Sequence, residues 1–154
     1  MIFKIFNSNQ EISTIKKNEI VEFLHDHLEQ YGDSKKDIEK AIDFALKVSN
    51  PYLQITPLGG MVLIGKEDNQ TVGAVVMNRT GMNGYIPDNI LVYIAVHKNY
   101  RGKGIGKQLM QKAIELTNGD IKLHVEPDNP ARFLYKKLGF TEPYLEMRLK
   151  NSKS

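Results

Sequence analysis

Seven residues rich in β-branched and aromatic side chains, Ile90-Leu91-Val92-Tyr93-Ile94-Ala95-Val96, run into a loop carrying three alternating glycines, and apolar residues recur at helical spacing directly afterwards. The stretch 90–116 therefore reads as a strand, a glycine turn and a helix start, and the rest of the chain has to be organised around that unit. A helix start leaves backbone N–H groups without intrahelical partners and carries the positive end of the macrodipole, so a glycine loop leading into it can wrap an anion closely. Between His97 and Ile114 there is no acid, while Lys98, Arg101, Lys103, Lys107 and Lys112 are basic. Positive potential is thus concentrated at the turn, and phosphate is the expected anion.

Three phosphate-binding patterns compete for this loop. A P-loop needs a glycine five positions before its Gly-Lys pair and a Ser or Thr after it, but Arg101 stands at the first place and Gln108 follows Lys107. The dinucleotide fingerprint needs a two-residue final gap, whereas Gly102, Gly104 and Gly106 are evenly spaced, and no acid ends a matching strand about twenty residues on. What fits is Arg101-x-x-Gly104-x-Gly106, which resembles the Arg/Gln-x-x-Gly-x-Gly/Ala signature of the GNAT acyltransferases. In that family the loop holds the pyrophosphate of acetyl-coenzyme A.

The chain in order supports a single layered domain. At 154 residues it suits one domain over 1–154, burying about 70% of its unfolded surface. Ile2-Phe3-Lys4-Ile5 is a short strand, and Ile20, Val21, Leu24, Leu28 and Tyr31 mark an amphipathic helix stopped by Gly32. Ser34 to Asp37 can cap a second helix with Ile38, Ala41, Ile42, Ala45 and Leu46 on its apolar face, ended by Asn50-Pro51. Met61 to Ile64 and Thr71 to Asn78 form a hairpin, with Gly73 marking a bulge, and the long loop Arg79 to Asp88 has the length of a segment that shapes a site. After the organising stretch, whose helix should bury Ile105, Leu109, Ala113, Ile114 and Leu116, Ile121 to Val125 alternates as a strand. Asp128 or Asn129 before Pro130 starts a helix, and Tyr144 to Leu149 alternates as a last strand. The expected fold is α/β, an α+β layered sandwich with about four helices around a mixed, mostly antiparallel sheet. The strands on either side of the third helix should be its parallel pair.

Composition excludes several classes of function. Cysteine is absent, which removes thiol nucleophiles, disulfides and Cys-ligated metals, and the four histidines do not have zinc-site spacing. His25-Asp26-His27 does not chelate, because residues two apart on a helix point to different faces, and it is expected to be solvated surface. No metal is therefore expected. A net charge of +3 with acids interspersed outside the loop argues against nucleic acid as the main partner. No apolar run is long enough for a membrane span and no leader pattern opens the chain, so a cytoplasmic protein with no membrane partner, monomer or homodimer, is expected.

The segment 123–140, with Asn129, Ala131, Tyr135 and Leu138-Gly139-Phe140, is similar to the C-terminal half of the same GNAT pattern, and the two halves stand in the right order. The resemblance implies a GNAT-like acyl-CoA N-acyltransferase fold whose parallel strands splay apart. It implies that the backbone of Ile94, Ala95 and Val96 pairs with the pantetheine arm of acetyl-coenzyme A. Arg101, Gly102, Lys103, Gly104, Ile105, Gly106 and Lys107 would take the pyrophosphate, Asn129 would bond near the pantetheine, and Tyr135 would reach the thioester sulfur.

Acyl transfer to an amine needs no protein nucleophile, but an amine of pKa about 10.4 must lose a proton before it attacks. His124 is the first candidate base, because imidazole titrates near neutral pH and the residue falls on the polar face of the strand 121–125; Glu126 is second and His97 third. A phenol at Tyr135 could protonate the departing thiolate, and a backbone N–H near Val96 could hold the carbonyl oxygen as it becomes charged. The expected activity is N-acetyl transfer from acetyl-coenzyme A to a primary amine of a small molecule or peptide by direct attack. The alternative is a catalytically silent coenzyme A-binding module. The acceptor pocket is expected from the two N-terminal helices, the Arg79 to Asp88 loop and a last hairpin.

Overall fold

The computed structural model describes residues 1–153. The chain divides into two compact units, Met1–Leu123 and His124–Ser154. In the first, β1 (Ile2–Phe6) is followed by α1 (Thr14–Leu28), a 3-10 turn (Glu29–Tyr31), α2 (Lys35–Leu46), β2 (Gly60–Glu67), β3 (Gln70–Arg79), β4 (Asn89–Val96), a second 3-10 turn (Lys98–Tyr100), α3 (Ile105–Leu116) and β5 (Ile121–Leu123). The strands lie in sequence order in one sheet. All neighbours are antiparallel except β4 and β5, which are parallel, as the strand-helix-strand pattern requires. No helix among the described residues is long and apolar enough to cross a membrane.

Helices α1 and α2 cover one sheet face. Leu24, Ile38 and Ile42 are fully buried there against Val62, Ile64, Ala74 and Val76. Both helices are capped by serine: Ser13 accepts from Lys16 N and Ser34 accepts from Asp37 N. The first helix starts well before the apolar residues that announce it, because Ser13 caps a polar first turn. The second ends at Leu46, four residues short of Asn50. There Lys47 takes a left-handed conformation, and Asn50 turns inward to donate to Asp43 at 2.8 Å. Asp43 is 1% exposed and also receives the Lys17 amine at 3.1 Å, which ties α1 to α2.

Helix α3 lies on the other face with Leu109, Met110 and Ala113 buried. A Cβ on Gly73 would stand 2.3 Å from a Leu109 methyl, so Gly73 serves close approach of helix to strand. The bulge lies beside it, where the β2–β3 register shifts between Gly65 and Lys66. Ile114 and Leu116, expected inside, are 36% and 40% exposed, while Ile105, Leu109, Met110 and Ala113 form the buried side of α3.

In the second unit α4 (Ala131–Lys137) is followed by Gly139 at φ +101. The expected strand Tyr144 to Leu149 does not form. Residues 141–150 have no regular secondary structure, and Tyr144, Leu145, Met147 and Leu149 are 87–91% exposed. Alternation supplies two faces, but a strand is held by a neighbour's ladder, and this segment has none. The last hairpin anticipated for an acceptor pocket is therefore absent from the described residues. The strand expected over 121–125 also stops at Leu123.

Candidate active site

The second half of β4 is an open edge. Strand β5 pairs only with Asn89, Ile90 and Leu91, so from Val92 onward β4 has a strand neighbour on the β3 side alone. His97 N donates to Val72 O on β3 at 2.8 Å. By alternation the N–H and C=O groups of Ile94 and Val96 point the other way, without strand partners, and those of Ala95 face β3. A register shift between Val76 and Met77 leaves Val92 as an extra residue on β4. That bulge sends Leu91, paired with Met77, to the α3 face and turns Tyr93, paired with Val76, toward α1 and α2.

Beyond β4 the chain is clamped before it reaches the glycines. The Arg101 guanidinium donates through Nε to Val96 O at 3.2 Å and through Nη2 to His27 O at 2.7 Å, and pairs with Glu29 at 3.2 Å. Its charge is committed to holding the end of β4 against the end of α1. What faces outward in the loop is backbone. Gly102 and Gly104 stand at φ +77 and +79, and a Cβ on either would meet nothing within 4 Å. Gly104 is the N-cap of α3 and no side chain caps that helix, in contrast to the two serine-capped helices before it. The N–H groups of Ile105, Gly106 and Lys107 are thus left at a positive helix end with no acid in the first turn. The Ile105 side chain is 3% exposed, so only its backbone can serve a ligand. Lys103 and Lys107 are exposed, the former with its amine 5.0 Å from the Tyr100 ring centre.

His27 is not solvated surface as expected. It stacks between Phe23 and His97 at 4.6 and 4.3 Å, and its Nδ1 accepts from Lys98 N at 3.2 Å. His97 does the same for Asn99 N at 3.1 Å, an N-cap rather than a base poised toward substrate. Burial, then the charges of His97, Arg101 and Lys98, push the His27 pKa below its usual value against the opposing pull of Asp26. Because the folded state holds this imidazole neutral, its contribution is fully present above the unfolded pKa of about 6.5 and is lost as pH falls through the lower folded value. Thermal unfolding should therefore show a larger fall in midpoint from about pH 7 to about pH 5 for the wild type than for His27→Gln, which does not titrate. An equal fall in both proteins would rule out His27 as the sensor.

Tyr93 is a further feature that motif reading missed. Its hydroxyl donates to Asp33 Oδ2 at 2.5 Å, pinning the turn between α1 and α2 to the centre of β4. Burial and this bond raise its pKa far above the phenol range. The available signal was its place in the alternating β4 pattern, since a buried tyrosine needs a partner for its hydroxyl.

In the second unit, His124 and Glu126 are exposed and lie outside the strand that was expected to present them on one face. Asn129 is half-buried and its Oδ1 accepts from Ala131 N at 2.9 Å, closing a turn before α4 and leaving its amide N–H groups without a partner among the described residues. Tyr135 is 8% exposed, with its ring 5.8 Å from that of Phe140 in an edge-on contact, and its hydroxyl has no hydrogen-bond partner among the described residues. Burial pushes its pKa up to about 12, which keeps the phenol protonated at neutral pH.

In this α/β protein a strand that loses its neighbour halfway feeds, through glycines, a helix whose first N–H groups have no side-chain cap. The chain belongs to the GNAT acetyltransferase family: it matches the acetyltransferase (GNAT) domain over residues 59–142, more than half of its length. The loop and the Leu138-Gly139-Phe140 segment led us to expect this family, whose members use acetyl-coenzyme A. The ribosomal protein bS18 alanine N-acetyltransferase of Haemophilus influenzae is 35% identical over 80 residues, which are 49% of this chain and 51% of that protein. The match thus spans about half the length of this curated relative. Among solved structures, the aminoglycoside antibiotic 6′-N-acetyltransferase of Acinetobacter haemolyticus has a TM-score of 0.66 at 16% identity, covering 99% of each chain. An aminoglycoside N-acetyltransferase in complex with CoA has a TM-score of 0.65 at 14% identity, covering 98% of this chain and 95% of that one. These two share the fold.

Proposed function

We propose that this chain transfers an acetyl group from acetyl-coenzyme A to a primary amine of a small molecule or peptide, by direct attack of the amine. The observation that carries the reading is the uncapped start of α3 behind Gly102 and Gly104, next to the free edge of β4. The residues present fit the coenzyme: open space over two left-handed glycines suits a diphosphate, and the N–H and C=O of Ile94 with the N–H of Val96, which have no strand partner, suit an extended amide-bearing arm. When bound, acetyl-coenzyme A supplies the acyl group as a thioester.

The chain's own groups divide the remaining work. The N–H groups of Gly102 to Lys107, with the Lys103 and Lys107 amines, hold the diphosphate, while Arg101 keeps the loop in shape. Backbone N–H of Ile94 or Val96 orients the acyl carbonyl and counters charge developing on its oxygen. Asn129 donates its free amide toward the pantetheine arm. Tyr135, protonated at neutral pH, donates to the departing sulfur. Proton removal from the amine is assigned to His124, with Glu126 second; their exposure leaves each in exchange with water. A primary amine is favoured as acceptor because the relatives named above act on an alanine of a ribosomal protein and on aminoglycosides.

The test is thiol release from acetyl-coenzyme A with peptides beginning in alanine, aminoglycosides and polyamines as acceptors. Turnover on none of them would reject the reading. On any accepted amine, Tyr135→Phe should lower kcat by about one to two orders of magnitude while leaving coenzyme affinity unchanged. Unaltered kcat would remove Tyr135 from the chemistry.

A further inference from the structure

The end of the first unit away from the glycine loop carries a cavity of about 790 Å³. It opens where β4 begins at Asn89 and α3 ends at Leu116, whereas the glycine loop joins the opposite ends of both elements. The twelve residues of α3 separate the two places by about 18 Å at about 1.5 Å per residue. The cavity shares no residue with the groups assigned to the coenzyme.

Ile5, Met61 and Met77 of the sheet line its floor, the two methionines only 7% and 2% exposed, with Leu58 at 45% and Leu116 from the last turn of α3 at 40% exposure beside them. One wall is cationic. Lys47 and Arg79 both line the cavity and neither side chain has an ion pair or hydrogen bond among the described residues. The two flank Gly59: Arg79 N donates to Gly59 O at 2.9 Å, and a Cβ on Gly59 would stand 3.1 Å from Lys47 Cε. Lys47 reaches this position from a left-handed backbone at φ +55, a conformation that costs a non-glycine residue about 1 kcal/mol or more. A strained backbone and a bare glycine thus bring two unneutralised cations to one wall.

An acid lines the same cavity next to these cations, at the start of β4, where Thr80 N donates to Asp88 O at 2.8 Å. Asp88 has no side-chain partner among the described residues, and its carboxylate lies where a side chain on Gly119 would be, 2.2 Å from the position of that Cβ. Beside it the last carbonyls of α3 form the negative end of a helix with no basic residue in its final turn. We propose that this cavity is a second binding site, taking a zwitterionic ligand of amino-acid or short-peptide type. The carboxylate end sits between Lys47 and Arg79, the ammonium end against Asp88 and the α3 carbonyls, and the apolar stem on Leu58 and Leu116. Charge-assisted bonds at both ends select against ligands that carry only one of the two charges. This inference does not depend on the coenzyme assignment, because no residue given to the coenzyme lines the cavity, although the Arg79 to Asp88 loop expected at the acceptor pocket does.

The probe is the dipeptide alanyl-glutamate, titrated calorimetrically into the full chain without coenzyme. Two blocked analogues are titrated alongside it, N-acetyl-alanyl-glutamate without the ammonium and the diamide without carboxylates. Saturable binding of the dipeptide is expected, weakened about tenfold or more by either blocking group and by the double variant Lys47→Gln/Arg79→Gln. Both replaced side chains are exposed, and unfolding curves confirm that the variant is folded before it is titrated. The variant Gly104→Ala, altered only at the other end of α3, should bind the dipeptide as the wild type does. No saturable binding, or binding that survives in the double variant or is indifferent to blocking, overturns the proposal.

Discussion

Gly104→Val is expected to lower the affinity for acetyl-coenzyme A by about 100-fold or more, a loss of about 3 kcal/mol, measured by calorimetry. Two effects act together. Gly104 stands at φ +79, where a β-branched residue is strongly disfavoured, so the first turn of α3 must reorganise or carry strain. The added side chain would also occupy the open space over the loop, where nothing of the protein lies within 4 Å of the Cβ position and where the diphosphate is assigned. The same openness means that the substitution meets no neighbour in the folded chain, so stability should fall by only about 1–2 kcal/mol, the cost of the backbone conformation. Affinity and stability therefore separate in this variant. Undiminished coenzyme affinity would defeat the assignment of the diphosphate to the head of α3.

Asp43→Ala should destabilise the fold by about 3 kcal/mol or more, seen as a lower urea midpoint with little change in slope. Asp43 is 1% exposed and satisfies two groups at once, the Lys17 amine at 3.1 Å and the Asn50 amide at 2.8 Å. Removing it strands a cation whose side chain is 17% exposed and frees the segment after α2. Against a total stability of about 5–15 kcal/mol for a domain, such a loss is large enough to leave part of the protein unfolded. The double variant Lys17→Met/Asp43→Leu provides the check, since replacing both members by apolar groups should recover much of the loss. A cost below about 1 kcal/mol for Asp43→Ala would show that the pair is screened by water and does not hold α1 to α2.

Much of the candidate site could be read before the fold was known, because its information is local. The glycines at 102 and 104 announce their left-handed backbone, the absence of Ser, Thr, Asp or Asn before Ile105 announces an uncapped helix, and Ser34 announces a capped one. The interactions that escaped reading join residues far apart in the chain. Tyr93 meets Asp33, Arg101 meets Glu29, and Lys17 meets Asp43 through the packing of helices on the sheet, and no spacing rule links the members of those pairs. The segment Tyr144 to Leu149 misled in the opposite direction: its alternation is genuine, but a strand also needs a partner, which lies outside the pattern itself.

Strand β4 shows where the boundary falls. By sequence alone Leu91, Tyr93 and Ala95 share a face, and that is how periodicity must read them. In the fold, the extra residue Val92 shifts the register, so Leu91 goes to the α3 side and Tyr93 and Ala95 to the side of α1 and α2. The same shift turns the hydrogen-bonding groups of Ile94 and Val96 toward the edge that β5 leaves open. Amino-acid order by itself determined most of the elements, the glycine turn and the family, because backbone preference, capping and hydrophobic period act over a few residues. Which side of β4 is free, which charges are neutralised and which remain available were decided by tertiary structure, because register and ion pairing depend on neighbours that only the folded chain brings together.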